Sequence, residues 1–146
     1  MLYLIKVILT KGALNFVNKE IFKYLGATEV YSYDDDFNSH KDVHILHIDL
    51  AKWMDKLIIA PASANTIAKI SSGVADDLLT SVVLANSDKE THVFSAMNTQ
   101  MLNNPITQTN LKKLEDRSFF IHPTQTGKLA CRDIGEGKLL DVDSIK

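Results

Sequence analysis

The 146-residue sequence has little cysteine, proline, glycine or tryptophan: one, three, six and one, respectively. A lone cysteine, Cys131, excludes an internal disulfide framework, fits a reducing compartment and leaves one thiol for chemistry. No stretch approaches the roughly 18–20 unbroken apolar residues that span a bilayer. The apolar start, Met1 to Thr10, is too short for that. It also lacks a basic leader and a small-residue cleavage site, so it does not read as a signal peptide. An excess of one charge is missing as well: 16 basic against 18 acidic residues give a net charge of -2, which argues against a nucleic-acid partner. Internal repeats and Pro-, Gly- or Ser-rich linkers are absent. What is present, 45% hydrophobic and 23% charged residues, is ordinary globular composition. It predicts one domain over residues 1–146, cytoplasmic, able to bury roughly 68–70% of its unfolded surface.

Short apolar runs alternate with longer amphipathic stretches, which predicts an α/β fold with a mainly parallel sheet. Tyr3 to Leu9 reads as a buried strand. Leu14, Val17, Ile21, Tyr24 and Leu25 follow at helical spacing. Val30 to Ser32 predicts a short strand, and Asp34 to Ser39 a solvated acidic loop. Ile48 to Met54 reads as a helix. Leu57 to Ala60 is the clearest buried strand, ended by Pro61. Ser63 then caps a helix through Ile70, and Asp76 or Asp77 starts another over Leu78 to Ala85. Val93 to Ala96 predicts a strand, and Pro105 the first turn of a helix to about Leu114. Phe119 to Ile121 reads as the last strand. The tail carries Gly127, Gly135 and Gly137 and reads as a loop.

A strand, a tight loop and a helix N-terminus occur after Ala60, after Ala96 and after Thr10. Ligands of open parallel sheets sit at such strand tips, where helix N-termini offer unpaired N–H groups. The pattern predicts a small-ligand site built from Thr10-Lys11-Gly12, Pro61 to Thr66 and Ala96-Met97-Asn98. A generic α/β fold supplies such turns too, so the pattern alone is weak.

Four ordered segments are more specific. Pro61-Ala62-Ser63-Ala64-Asn65-Thr66 resembles the PASANT motif of the flavin-dependent cysteine decarboxylases. Ala96-Met97-Asn98-Thr99-Gln100-Met101 resembles their PxMNxxMW motif. Leu129 to Gly137 is similar to the ACGDxGxG substrate clamp of the phosphopantothenoylcysteine decarboxylases. His47 to Trp53 resembles the segment holding that family's active-site histidine.

The resemblance implies a flavodoxin-like (Rossmann-like) three-layer fold binding FMN at subunit interfaces, as a homotrimer. It implies decarboxylation of 4'-phosphopantothenoylcysteine to 4'-phosphopantetheine in coenzyme A synthesis. By the same resemblance Thr10, Lys11, Gly12, Phe16, Ser63, Ala64, Asn65, Thr66 and Ala96 contact the flavin. His47 and Cys131 are the catalytic pair. Asn98 holds the substrate carboxylate with Met101 beside it. Lys128, Leu129 and Ala130 belong to a flexible clamp over residues 127–140. Small-molecule substrate and further copies of the chain are the implied partners, with no nucleic acid and no membrane.

The chemistry accounts for these residue types. A cysteine carboxylate has no sink for the electrons left by carbon dioxide. Oxidation of the thiol-bearing carbon by FMN creates a thioaldehyde that accepts them, and the flavin then returns the hydride. A thiol, with an ordinary pKa of about 8.5, is mostly protonated at neutral pH and can supply the accompanying proton. Asn98 can donate two hydrogen bonds to a carboxylate without adding charge.

Plainer readings exist for single residues. Met97 and Met101 at helical spacing suit a core, Asn98 suits a helix cap, and Trp53 suits an anchor in the core or at a subunit contact. His40, His44 and His47 have a spacing that suits a metal, but poor helix propensity around Asp42-Val43 and no nearby cysteine make a loop sufficient, and no metal is expected. The sequence departs from the family at its start, where an extra strand, a loop and a helix precede the segment matching Tyr3 to Leu9; the fold is therefore expected to lack that first strand and helix. Ser95, Arg132 and Leu102 stand where the family has Pro, Gly and Trp. Two rival readings follow. One is a peptidyl-cysteine decarboxylase of the lantibiotic type, which lacks the Ala-Cys-x-Asp clamp. The other is a non-catalytic regulatory homologue keeping the fold.

Overall fold

The computed structural model describes residues 3–38 and 45–145, in two compact units. In chain order the elements are β1 (Lys6–Leu9), α1 (Lys19–Tyr24), β2 (Glu29–Ser32), α2 (Asp35–Asn38), α3 (Leu46–Trp53), β3 (Lys56–Ala62) and α4 (Ala64–Ser72). Then come α5 (Leu78–Ala85), β4 (Glu90–Ser95), α6 (Thr99–Leu102), α7 (Pro105–Glu115), β5 (Phe120–His122), β6 (Gln125–Lys128) and β7 (Ile134–Lys138).

The first unit comprises Met1–Trp53 and Ala75–Asn86. Here β1 and β2 pair in parallel, Lys6 opposite Glu29, with their side chains joined at 2.9 Å. Helix α3 packs on α5, which also meets β1. Leu9, Val30, Leu50, Ala51, Leu78, Leu79 and Val82 are its buried apolar residues among those described. The expected start of α5 is confirmed with its mechanism. Asp77 accepts the Thr80 N–H, and the Thr80 hydroxyl accepts the Asp77 N–H, a reciprocal capping box.

Three expectations are corrected in this unit. The strand begins at Lys6, and Tyr3, Leu4 and Ile5 are exposed; Ile5 still accepts a hydrogen bond from the Thr28 N–H at 2.7 Å. The helical spacing from Leu14 to Leu25 does not give one helix. A short 3-10 turn, Ala13–Asn15, is followed by a new start at Asn18, whose side chain caps α1 through the Glu20 N–H. A polar cap inside an apolar pattern divides it, and Leu14, Val17, Ile21, Tyr24 and Leu25 are all exposed. Asp34 to Asp36 do not form a solvated loop: Asp35 and Asp36 open α2, and the Asp36 side chain is buried.

The second unit comprises Met54–Val74 and Ser87–Lys146. Its sheet has the order β3-β4-β5, all parallel. Parallel strands need crossovers, supplied here largely by α4 and α7, which pack on each other and on β3 and β5 respectively. Central β4 is closed on most of its length: Thr91, Val93, Phe94 and Ser95 are buried. Ile67, Ile70 and Leu114 fill the helical side. Gly73 ends α4 in the left-handed region, φ 72°, the conformation in which glycine carries no Cβ penalty. Pro105 occupies the first turn of α7, as expected.

Three expectations fail in this unit. The run Leu57 to Ala60 is a strand but not a buried one: Ile59 is buried, while Ile58 and Ala60 on the other face are exposed. Pro61 does not end β3, because the strand continues to Ala62 across a register shift between Ile59 and Ala62. An irregularity is where a strand tolerates a residue without an N–H. Phe120–His122 is not the last strand. The glycine-bearing tail is an antiparallel hairpin, β6–β7, with Gly127 opposite Gly135.

Candidate active site

The carboxyl ends of β3 and β4 lie side by side. Ala62 is opposite Ser95, and the Ala96 N–H donates to Ala62 O at 3.1 Å. The two turns that follow are thereby neighbours. In the first, the Ser63 hydroxyl accepts the Thr66 N–H at 3.3 Å and lies 3.3 Å from the Thr66 hydroxyl. The first-turn N–H groups of α4 have no intrahelical acceptor, so the turn presents uncharged donors beside two hydroxyls. At the second tip the Ser95 hydroxyl is buried and has no hydrogen-bond partner among the described residues.

In the second turn Asn98 caps α6. Its Oδ1 accepts the Gln100 N–H at 2.8 Å. That bond fixes the orientation of the amide, because the oxygen is spent on the backbone and the NH2 group faces outward. One amide hydrogen goes to Cys131 Sγ at 3.4 Å. The other has no partner among the described residues. The capping role and the site role of Asn98 are therefore compatible: the cap uses the oxygen, and the cleft receives the nitrogen.

Cys131 sits exposed in the β6–β7 turn. The turn is closed by the Leu129 N–H on Asp133 O at 2.8 Å and the Arg132 N–H on Leu129 O at 2.9 Å. Arg132 takes φ 73°, in the left-handed region. Two bonds moor the hairpin to the Asn98 turn. The Met97 N–H donates to Gly137 O at 3.0 Å, and the Thr99 hydroxyl donates to Glu136 O at 2.5 Å. Gly137 has φ 113°, and a Cβ there would collide with Met97 O. The approach demands glycine in both conformation and space. Cys131 Sγ in turn donates to Asp133 Oδ2 at 3.4 Å.

Of the residues expected at the site, Ser63, Ala64, Asn65, Thr66, Ala96, Asn98, Met101, Lys128, Leu129, Ala130 and Cys131 all belong to this unit. Met101 is half exposed on α6, while Leu129 is buried beneath the turn. Thr10, Lys11, Gly12, Phe16 and His47 belong to the first unit. There, Thr10 Oγ1 accepts the Ala13 N–H at 3.2 Å, which folds the Thr10-Lys11-Gly12 turn, and Phe16 is 88% exposed just beyond it. His47 Nδ1 lies 2.6 Å from Asp36 Oδ2, and its N–H donates to Asp36 Oδ1 at 3.1 Å. A ring held at Nδ1 by a carboxylate keeps Nε2 for other partners. Trp53 is neither core nor unpartnered: Lys6 Nζ stands 4.5 Å from its ring centroid.

Sequence reasoning missed Asp36, since it meets His47 through a tertiary contact between separate helices, α2 and α3. Also missed was a histidine pair on the sheet. His92 Nδ1 lies 2.9 Å from His122 Nε2, and the His122 ring stacks on Phe94 at 4.0 Å. Burial, followed by the neighbouring His92 charge, pushes the His122 pKa down. The alternation of β4 and β5 carried the signal, because Phe94 and His122 are opposite in register. Among the described residues no group of three or more His, Cys, Asp or Glu could hold a metal, and His40 and His44 lie outside them. No helix among the described residues is long and apolar enough to cross a membrane.

Known proteins resemble this arrangement. The coenzyme A biosynthesis bifunctional protein CoaBC of Bacillus subtilis is 39% identical over 142 residues, 97% of this chain but 34% of its own length. A probable phosphopantothenoylcysteine decarboxylase of Arabidopsis thaliana is 39% identical over 140 residues, 94% of this chain and 69% of its own. The chain thus spans about a third of one relative and about two thirds of the other. Among solved structures, a PPC decarboxylase cysteine-to-serine mutant complexed with pantothenoylaminoethenethiol superposes with a TM-score of 0.85 at 36% identity, over 96% of this chain and 78% of that one. The likeness bears out the α/β, flavodoxin-like class read from the sequence. The Flavoprotein family matches residues 2–146, and the chain belongs to that family.

Proposed function

We propose that the chain is an FMN-dependent phosphopantothenoylcysteine decarboxylase, acting on 4'-phosphopantothenoylcysteine. The observation that carries this reading is the Asn98–Cys131 contact at 3.4 Å. A carboxylate-binding amide and a proton-bearing thiol share one small space. The relatives support the reaction class, one by its complex with an enethiol.

The residues present fit a flavin. The paired β3 and β4 tips offer backbone N–H groups and the Ser63 and Thr66 hydroxyls, an uncharged donor set suited to the polar edge of a flavin ring. Ser63 to Thr66 and Ala96 would hold it; the family resemblance also assigns Thr10, Lys11, Gly12 and Phe16 to flavin binding. When bound, FMN supplies reversible hydride transfer, which gives the substrate an electron sink for decarboxylation.

The chain's own residues do the rest. Asn98 directs its unpartnered amide hydrogen to the substrate carboxylate, orienting that group without a positive charge that would hold it as an anion. Carbon dioxide leaves as a neutral molecule, so neutral binding does not oppose its departure. Cys131 supplies a proton to the carbon that lost carbon dioxide. Lys128, Leu129 and Ala130 border the substrate from the hairpin. The family resemblance assigns His47 to serving the thiol or steering the substrate, and with Nδ1 engaged by Asp36 its Nε2 is the ring nitrogen left for that role. In this reading the protein acts in the cytoplasm as a trimer.

Titration with FMN, followed by absorption near the flavin band, tests cofactor binding, and light scattering tests the trimer. Cys131→Ser tests the chemistry: carbon dioxide should form, while the reaction stops at the enethiol. Normal phosphopantetheine production by that variant removes Cys131 from its role.

A further inference from the structure

The proposed acid, Cys131, is flanked by two groups of opposite hydrogen-bonding character. Asn98 Nδ2 donates to the sulfur at 3.4 Å. On the other side the sulfur lies 3.4 Å from Asp133 Oδ2. A thiol has one proton and an ionised carboxylate only accepts, so the proton lies on the Asp133 side and a sulfur lone pair on the Asn98 side. A single proton on the sulfur satisfies both contacts at once.

We propose that Asp133 is a positioning residue that keeps Cys131 in its thiol form and sets the direction of its proton. This rests on Cys131 being the acid of the proposed reaction. A carboxylate beside the sulfur disfavours the thiolate by like charge, and a general acid must keep its proton until the transition state. In the transfer the S–H bond breaks, the sulfur keeps the electron pair, and a C–H bond forms at the carbon that lost carbon dioxide. The thiolate left behind faces the Asp133 carboxylate, which favours its recapture of a proton from solvent and resets the site.

The other charges on the hairpin are Lys128, Arg132, Glu136 and Lys138, the last paired with Asp141 at 3.0 Å. Helix α6, which faces β7, contributes no charged residue. A change at Asp133 alone leaves all of these in place.

The chain has one cysteine, so iodoacetamide alkylation read by mass spectrometry reports this thiol alone. Rates are measured from pH 6 to 10 on the intact protein. Asp133→Asn should move the alkylation midpoint to lower pH and raise the rate at pH 7 by about three- to tenfold, the equivalent of about half to one pH unit. Asp133→Glu, which restores the charge, should return the midpoint toward that of the unaltered protein. An unchanged midpoint in Asp133→Asn overturns the proposal, as does a Glu variant that behaves like the Asn one. Alkylation requires neither flavin nor substrate, so this result stands apart from a failure of decarboxylase turnover in the unaltered protein.

Discussion

Asp36 holds His47 twice: its Oδ2 lies 2.6 Å from Nδ1 of the ring, and its Oδ1 accepts the His47 N–H at 3.1 Å. One carboxylate thus sets both the start of α3 and the orientation of the imidazole. Asp36→Asn should lower turnover by about tenfold or more, since a hydrogen bond to a charged group contributes about 1.5–3 kcal/mol. Steady-state decarboxylation against thermal midpoint separates the two roles. A variant with lost stability and unchanged kcat would leave Asp36 with a purely structural part.

Asn98→Asp replaces the amide NH2 by an acceptor. The Gln100 cap survives, because a carboxylate oxygen accepts the same N–H. In the proposed reaction the substrate carboxylate would then meet like charge, and the contact to Cys131 loses its donor. Carbon dioxide release should fall below detection while the thermal midpoint stays near that of the unaltered protein. Retained release measured by gas analysis contradicts the assignment.

Gly137→Ala tests the mooring of the hairpin. Its φ of 113° and the adjacent Met97 carbonyl leave no room for a Cβ. The expected cost is about 1–3 kcal/mol, confined to β6–β7. Hydrogen exchange should quicken at Met97 and Leu129, whose N–H groups close on the hairpin, and stay unchanged in α4 and α7.

Acid should weaken the fold through His122. Its folded pKa lies below the ordinary value, through burial first and the His92 charge second. The unfolded chain therefore takes up a proton as pH falls through about 6.5, before the folded chain does. Stability drops across that interval and levels once the folded form is protonated too. His122→Phe keeps the ring against Phe94 and removes the titration. Its thermal midpoint should fall less between pH 7 and 5 than that of the unaltered protein; an equal fall assigns the acid sensitivity elsewhere.

Local rules carried much of the fold in the sequence. Ser63, Asp77 and Pro105 mark their helix starts because capping depends on residues within one turn. The strand around Val93 shows as an apolar run because both its faces are covered, whereas the run around Ile59 leaves Ile58 exposed. Three features had no local mark. Asn18 broke an apolar pattern whose side chains are exposed, so periodicity was a false guide. The hairpin carries glycines that also suit a loop, and only the close approach of Gly135 to Thr99 and of Gly137 to Met97 explains those two. Asp36 reaches His47 through a tertiary contact. In the candidate site, Asn98 and Cys131 were legible by motif, but the division of labour between the Asn98 oxygen and nitrogen needed coordinates.

The bond from the Met97 peptide to the Gly137 carbonyl joins main chain to main chain. The spacing between the Cys131 turn and the Asn98 turn is consequently set in part by backbone registry, with the Thr99 hydroxyl on Glu136 O as a second tie. Outward positions of the hairpin such as Ile134 and Glu136 are then open to exchange while Asn98 and Cys131 keep their separation.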